Sequence, residues 1–186
     1  MSVSNIATRY ARSLIALAAE KNLLEEVNND IRQLNIATDN SREFYLMLKS
    51  PILNAQDKHK VIEKIFKGKI HEITEQFLGI IVRKKREKYL PEIIDAFIEQ
   101  YNAYKQITPV EIATATPLSN ELKNVAIERL KSSAGLVHIE LTEKVDPSLI
   151  GGYIIRYQDR LIDTTVKRGL KILKTEFDNN DYIRKF

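Results

Sequence analysis

The period of the hydrophobic pattern changes once along this chain, at Ile107-Thr108-Pro109. Before that point apolar residues recur every three or four positions, as one face of an α-helix requires. After it they alternate, as a half-buried strand requires. A helical pattern will not sit still as a strand, so the break predicts two units. Residues 1–106 are expected to form a helical bundle and residues 107–186 a small α/β domain. The chain has 186 residues, enough for two small domains.

Six helices are predicted in the first part. Ile6, Tyr10, Leu14 and Leu17 share one face of the first, with Ala7, Ala11 and Ala18 beside them. A second runs from about Leu23 to Thr38 and a third from Arg42 to Leu48. Ser50-Pro51 stops the third, because the residue before proline avoids the helical region. The fourth spans about Ala55–Phe66, with Gly68 as its C-cap. A fifth runs from His71 to about Lys84 with Ile73, Phe77, Ile80 and Ile81 in phase. The sixth starts near Pro91, a favoured first-turn residue. Short links between short helices predict a compact antiparallel six-helix bundle.

In the second part, Val110–Ala115 reads as a strand and Ser119 as the cap of a helix over 120–133. Val137, Ile139 and Leu141 alternate with polar residues in a second strand. Tyr153–Tyr157 and Arg160–Asp163 read as two more, joined by a turn at Gln158-Asp159. Asp163 or Thr164 is the expected cap of a last helix on which Val166, Leu170, Leu173 and Phe177 align. At about 75 residues this unit is marginal by size.

Composition narrows the chemistry. Hydrophobic residues make up 44% and charged residues 29%, ordinary globular usage. The net charge of +4 is spread over both parts: 17 basic and 14 acidic side chains in 1–106, 12 and 11 in 107–186. A nucleic-acid binder concentrates more basic charge on one face. There is no Cys, which excludes disulfides, thiolate metal sites and cysteine nucleophiles. No run approaches the roughly 20 apolar residues that span a bilayer, and the N-terminus does not read as a secretory signal.

No catalytic constellation stands out. His59, His71 and His138 are scattered, without the spacing of paired helical ligands. There is no nucleophile elbow. Gly151-Gly152 precedes a strand, unlike a phosphate-binding loop, and suits a backbone bend instead. No cofactor is expected. The basic run Arg83-Lys84-Lys85-Arg86-Glu87-Lys88 sits at a helix end, where cations complement the dipole. Its functional alternative is a contact with an acidic partner surface or, less favoured, nucleic acid. The apolar stripes on the first and fifth helices fit plain core or a groove for an amphipathic helix; sequence does not choose.

Two segments carry a family resemblance. Ala7-Thr8-Arg9-Tyr10-Ala11-Arg12-Ser13-Leu14 is similar to the opening signature of the delta subunits of F-type ATP synthases. The run Val145–Arg156, with its Gly151-Gly152, continues through Asp159–Leu170 and resembles that family's most diagnostic stretch. Leu90-Pro91-Glu92-Ile93 also fits. Thr165 stands where the family often has Ser, Lys167-Arg168-Gly169 where Arg-Gly-Arg or Arg-Ser-Arg is common, and Tyr157 where a small residue or Val is frequent. The resemblance covers essentially the whole chain.

What it implies is a role without chemistry. Such a subunit is a stator piece that ties the catalytic head to the peripheral stalk, so that rotation is coupled to proton or sodium transport and ATP synthesis. The bundle would hold the N-terminal helix of an alpha subunit between its first and fifth helices, here Ala7, Tyr10, Ala11, Leu14, Phe77, Ile80 and Ile81. The second domain would engage the C-terminal end of the b subunit, with Gly151, Gly152, Arg156, Asp163 and Val166 as stalk-contacting or signature residues. One copy per complex is expected, with no homo-oligomer, no nucleic acid, and membrane contact only through the complex. That places it peripherally at the cytoplasmic face of a bacterial plasma membrane, or at a plastid thylakoid. Two other readings stay open: an unrelated helical adaptor, and a basic RNA-binding protein using residues 83–88.

Overall fold

The structure, a computed structural model, describes residues 3–178, apart from the side chains of residues 3, 55, 133 and 134. The chain is mostly helical with one small four-stranded sheet. It divides into two compact units, Met1–Tyr104 and Lys105–Phe186.

The first unit contains α1 (Val3–Glu20), α2 (Leu24–Asn40), α3 (Arg42–Lys49), α4 (Ala55–Phe66), α5 (Glu72–Arg83) and α6 (Leu90–Lys105), with a 3-10 turn at Glu87–Tyr89 before α6. On α1, Ala7, Ala11, Leu14 and Ala18 are all buried. They recur at spacings of four, three and four, so they lie on one face. Three alanines on that face let a neighbouring backbone come close. Val27, Ile31 and Leu34 of α2 and Ile93, Ile94 and Phe97 of α6 complete the apolar interior. Each large side chain removed from water stabilises the unit by about 1.5–3 kcal/mol.

Polar groups fix how these helices start. Ser41 Oγ accepts from the Phe44 amide and caps α3. The α5 start is held from α2: Asp30 Oδ2 accepts from the His71 amide at 2.8 Å and from Thr74 Oγ1 at 2.7 Å. Lys58 of α4 is also inside. Its ammonium donates to the carbonyls of Leu48 and Ser50 and to Glu87 Oε1. One buried cation thus ties the α3–α4 link to the turn before α6. Of the basic run, Arg83, Lys84, Lys85 and Lys88 are exposed at and beyond the end of α5, while its single acid, Glu87, points into the interior.

In the second unit, β1 (Ile107–Thr114), β2 (His138–Val145), β3 (Tyr153–Tyr157) and β4 (Arg160–Asp163) form a sheet of order β2-β1-β3-β4. β1 runs parallel to β2 and antiparallel to β3, and β3–β4 is a hairpin. Gln106, at φ 56°, leaves the helical region and starts the change of direction. β1 begins three residues earlier than the alternation predicts, passing through Pro109. β3 reaches only to Val110, so Pro109 lies where β1 lacks its β3 neighbour, an edge that proline tolerates.

One sheet face carries Val110, Ile112, Ile155 and Tyr157, and α7 (Asn120–Ala134) covers it with Leu130 and Ala126. Ser119 Oγ caps α7 through the Leu122 amide. Glu143 accepts from the Leu118 amide and from Lys123 at 2.6 Å, tying β2 to the start of α7. The last helix is α8 (Val166–Asp178).

Candidate partner-binding surfaces

The α1–α5 pair meets around Tyr10. Its ring packs edge-to-face on Phe77, with centroids 6.2 Å apart, a geometry that aromatic quadrupoles favour. Arg86 lies over the other part of the Tyr10 ring at 5.5 Å and donates to its hydroxyl at 3.1 Å. The structure sorts the seven residues expected to line a groove here. Ala7, Ala11, Leu14, Phe77 and Ile81 are buried within the unit. Tyr10 is half-buried, and Ile80 is 44% exposed. Those two, with Leu17 exposed further along α1, are what this region offers to solvent.

In the second unit four of the signature residues, Gly151, Gly152, Asp163 and Val166, meet at one joint. Gly152 has φ +78°, and a Cβ placed there would stand 2.3 Å from the Thr164 carbonyl oxygen. A Cβ on Gly151 would meet Val166 Cγ2 at 3.2 Å. Backbone bonds clamp the same joint: the Thr164 amide donates to Tyr153 and the Val166 amide to Gly151. The paired glycines thus let the start of β3 and the start of α8 touch.

The cap of α8 differs from the expected one. Thr165 Oγ1, not Asp163 or Thr164, accepts from the Arg168 amide at 3.1 Å. Asp163 Oδ1 instead accepts from the amide and the hydroxyl of Thr165. Those bonds, the Thr165 amide foremost, hold the Asp163 carboxyl below the ordinary aspartate range. Thr164 is already engaged with Tyr153, which is why it is not free to cap. Arg156 is exposed on the outer sheet face, level with Glu111 and Leu161.

From this joint α8 extends with no buried residue along its length. Val166, Leu170, Leu173 and Phe177 are all exposed, Phe177 at 75%. Sequence periodicity found this stripe; only the fold shows that its own unit leaves it uncovered. The opposite side of α8 borders an open cleft of ≈ 650 Å³ that includes Leu149, Ile154 and Ile172. A second apolar groove, ≈ 370 Å³, runs between α7 and the sheet, walled by Leu122, Val125 and Ile162. Alternation in β4 gives no sign of it, because the groove forms only once α7 is set against the sheet.

Among the described residues, no group of three His, Cys, Asp or Glu side chains could hold a metal ion, and no helix is long and apolar enough to cross a membrane.

Comparison with known proteins follows the same line. The family model described as "ATP synthase delta (OSCP) subunit" matches residues 6–177. The ATP synthase subunit delta of Cytophaga hutchinsonii is 32% identical over 177 residues, 95% of this chain and 96% of the relative. The chloroplastic ATP synthase subunit delta of Galdieria sulphuraria is 35% identical over 166 residues, 89% of this chain and 94% of the relative. A chain of the Toxoplasma gondii mitochondrial ATP synthase hexamer shares the fold at a TM-score of 0.68 and 24% identity, covering 92% of this chain and 96% of its own length.

Proposed function

The chain belongs to the ATP synthase delta (OSCP) subunit family, and from that premise we propose how its two units divide the work. It is a structural subunit of the synthase, not a catalytic one, and its role is that of a stator and coupling piece. We read α1–α6 as a six-helix bundle that takes the amphipathic N-terminal helix of an alpha subunit against α1 and α5. The α/β unit engages the C-terminal end of the b subunit. One copy serves each complex, and membrane association comes only through that complex, at the cytoplasmic face of a bacterial plasma membrane or at a thylakoid.

The observation that carries this reading is the uncovered stripe of α8. A 13-residue helix is marginal by itself in water. Leaving four apolar side chains in solvent adds nothing to its stability, so a partner that buries them supplies what the unit lacks. In the first unit, Tyr10 and Ile80 beside the Phe77 contact offer a shallower apolar surface. A static attachment suits such contacts, because apolar burial is indifferent to salt while exposed ion pairs are screened. Torque from the rotor then meets a link that does not slip.

The test is calorimetric titration of the full chain with two synthetic peptides from the same organism, the N-terminal segment of the alpha subunit and the C-terminal segment of the b subunit. Each is expected to bind one-to-one with a negative heat-capacity change, and each without displacing the other. Failure of both to bind folded protein overturns this division of the work between the two units.

A further inference from the structure

The spacing on α8 carries more than a hydrophobic stripe. Val166, Leu170, Leu173 and Phe177 are separated by four, three and four residues. That spacing matches any one-faced helix, and in heptad terms it sets Val166 and Leu173 at d positions and Leu170 and Phe177 at a positions. At about 100° per residue the four fall within a narrow arc, on the side of α8 away from its cleft. The edges of the seam are then fixed. Lys167 and Lys174 follow the two d residues on one edge, and Gly169 and Glu176 precede the two a residues on the other. All four are exposed, Lys167 and Glu176 bordering the cleft as well and Lys167 donating to Ser148 Oγ at 3.3 Å.

We propose that α8 is one strand of a two-heptad, two-helix coiled coil, and that its partner is a helix with an apolar seam and a row of carboxylates facing Lys167 and Lys174. This rests on the b-subunit reading and names the chemistry of that contact. The edge decides the partner. A second copy of α8 packed antiparallel would set its lysines against one another. Packed parallel, Lys174 would face Gly169, which offers no countercharge. Like charges across a seam select against self-pairing and complementary ones set partner and orientation. The narrow arc also distinguishes α8 from a helix lying on a bilayer, which needs a broad apolar face.

The test uses the full chain and the C-terminal b-subunit peptide from the same organism, native and with its Asp and Glu changed to Asn and Gln. All substituted positions are exposed, so the fold is checked by circular dichroism before titration. Lys167→Glu/Lys174→Glu is expected to weaken the native peptide by roughly tenfold, an effect that fades at high salt and is absent with the neutralised peptide. Leu170→Asp/Leu173→Asp should weaken both peptides by more. If the lysine variant binds the native peptide as tightly as wild type while the leucine variant does not, the acidic-row inference is overturned and the b-subunit reading stands. If the leucine variant also binds as tightly, α8 is not the contact and the coiled-coil proposal falls; if the wild-type chain does not bind the peptide, the b-subunit reading falls with it. Anionic phosphatidylserine vesicles are the third probe. Binding to them that needs Lys167 and Lys174, with peptide affinity unchanged, assigns the edge to a lipid surface and overturns the proposal.

Discussion

Lys58 and Glu87 meet inside the first unit, ammonium to carboxylate at 3.1 Å, with both side chains almost wholly out of water. Lys58 spends its other donors on the Leu48 and Ser50 carbonyls, while Glu87 Oε2 is buried without a partner. Removing one member strands the other charge. Lys58→Met is therefore expected to lower stability by about 3–5 kcal/mol. Lys58→Met/Glu87→Leu should cost less than Lys58→Met alone, since no buried charge remains. Urea denaturation of the three proteins measures this; a double variant weaker than the single one contradicts it.

The joint at Gly152 separates two kinds of glycine. Gly152 and Gly135 both have positive φ, but only Gly152 has a backbone oxygen where a Cβ would go. Gly135→Ala should cost about 1 kcal/mol, the backbone preference alone. Gly152→Ala must also move Thr164, and should destabilise the second unit by clearly more than Gly135→Ala does. Equal midpoints in thermal unfolding would show that the joint yields freely.

Acid should loosen the start of α8. The Asp163 carboxyl sits below its ordinary 3.8 because the Thr165 amide and hydroxyl bond its ionised form. A depressed carboxylate contributes stability that is complete above the unfolded value and is lost as pH falls through the folded one. The loss is thus expected below about pH 4, and not between pH 5 and 8. Asp163→Asn should flatten that acid limb in a pH series of thermal midpoints. An unchanged limb in the variant assigns it to other carboxylates.

Core and surface should part company in the first unit. Ala11 is fully buried and Ile80 is not. Ala11→Leu is expected to destabilise by about 1–3 kcal/mol through overpacking. Ile80→Asp should leave stability within about 0.5 kcal/mol yet weaken the alpha-subunit peptide by tenfold or more. Tyr10→Ala should weaken it too, through loss of the ring that Phe77 and Arg86 hold in place. Unchanged affinity in both variants would sink the α1–α5 site.

Much of the second unit's joint is legible in its residues, though not its mechanism. Gly151-Gly152 read as a backbone bend, and the reason for two glycines came only with Thr164 and Val166 set against them. The cap was misplaced by one or two positions because Asp163, Thr164 and Thr165 are all good capping types. What decided among them was Tyr153, which claims Thr164 from across the hairpin. Likewise nothing in the spacing of Lys58 and Glu87, 29 residues apart, marks them as partners. Charge in a sequence reads as surface until a fold buries it.

Periodicity and local chemistry by themselves determined which segments are helix and which strand, and where the pattern breaks. These follow from the geometry of one helix or one strand, which neighbours in sequence suffice to specify. Tertiary structure alone decided which apolar faces are spent and which are left over. Ala11 and Leu14 vanish into the first unit, while Leu170 and Leu173, on an equally regular stripe, stay in water. A stripe says only that something must cover it. Whether that something is the same chain depends on contacts distant in sequence, and for Leu170 and Leu173 of α8 those contacts leave about half of each side chain exposed.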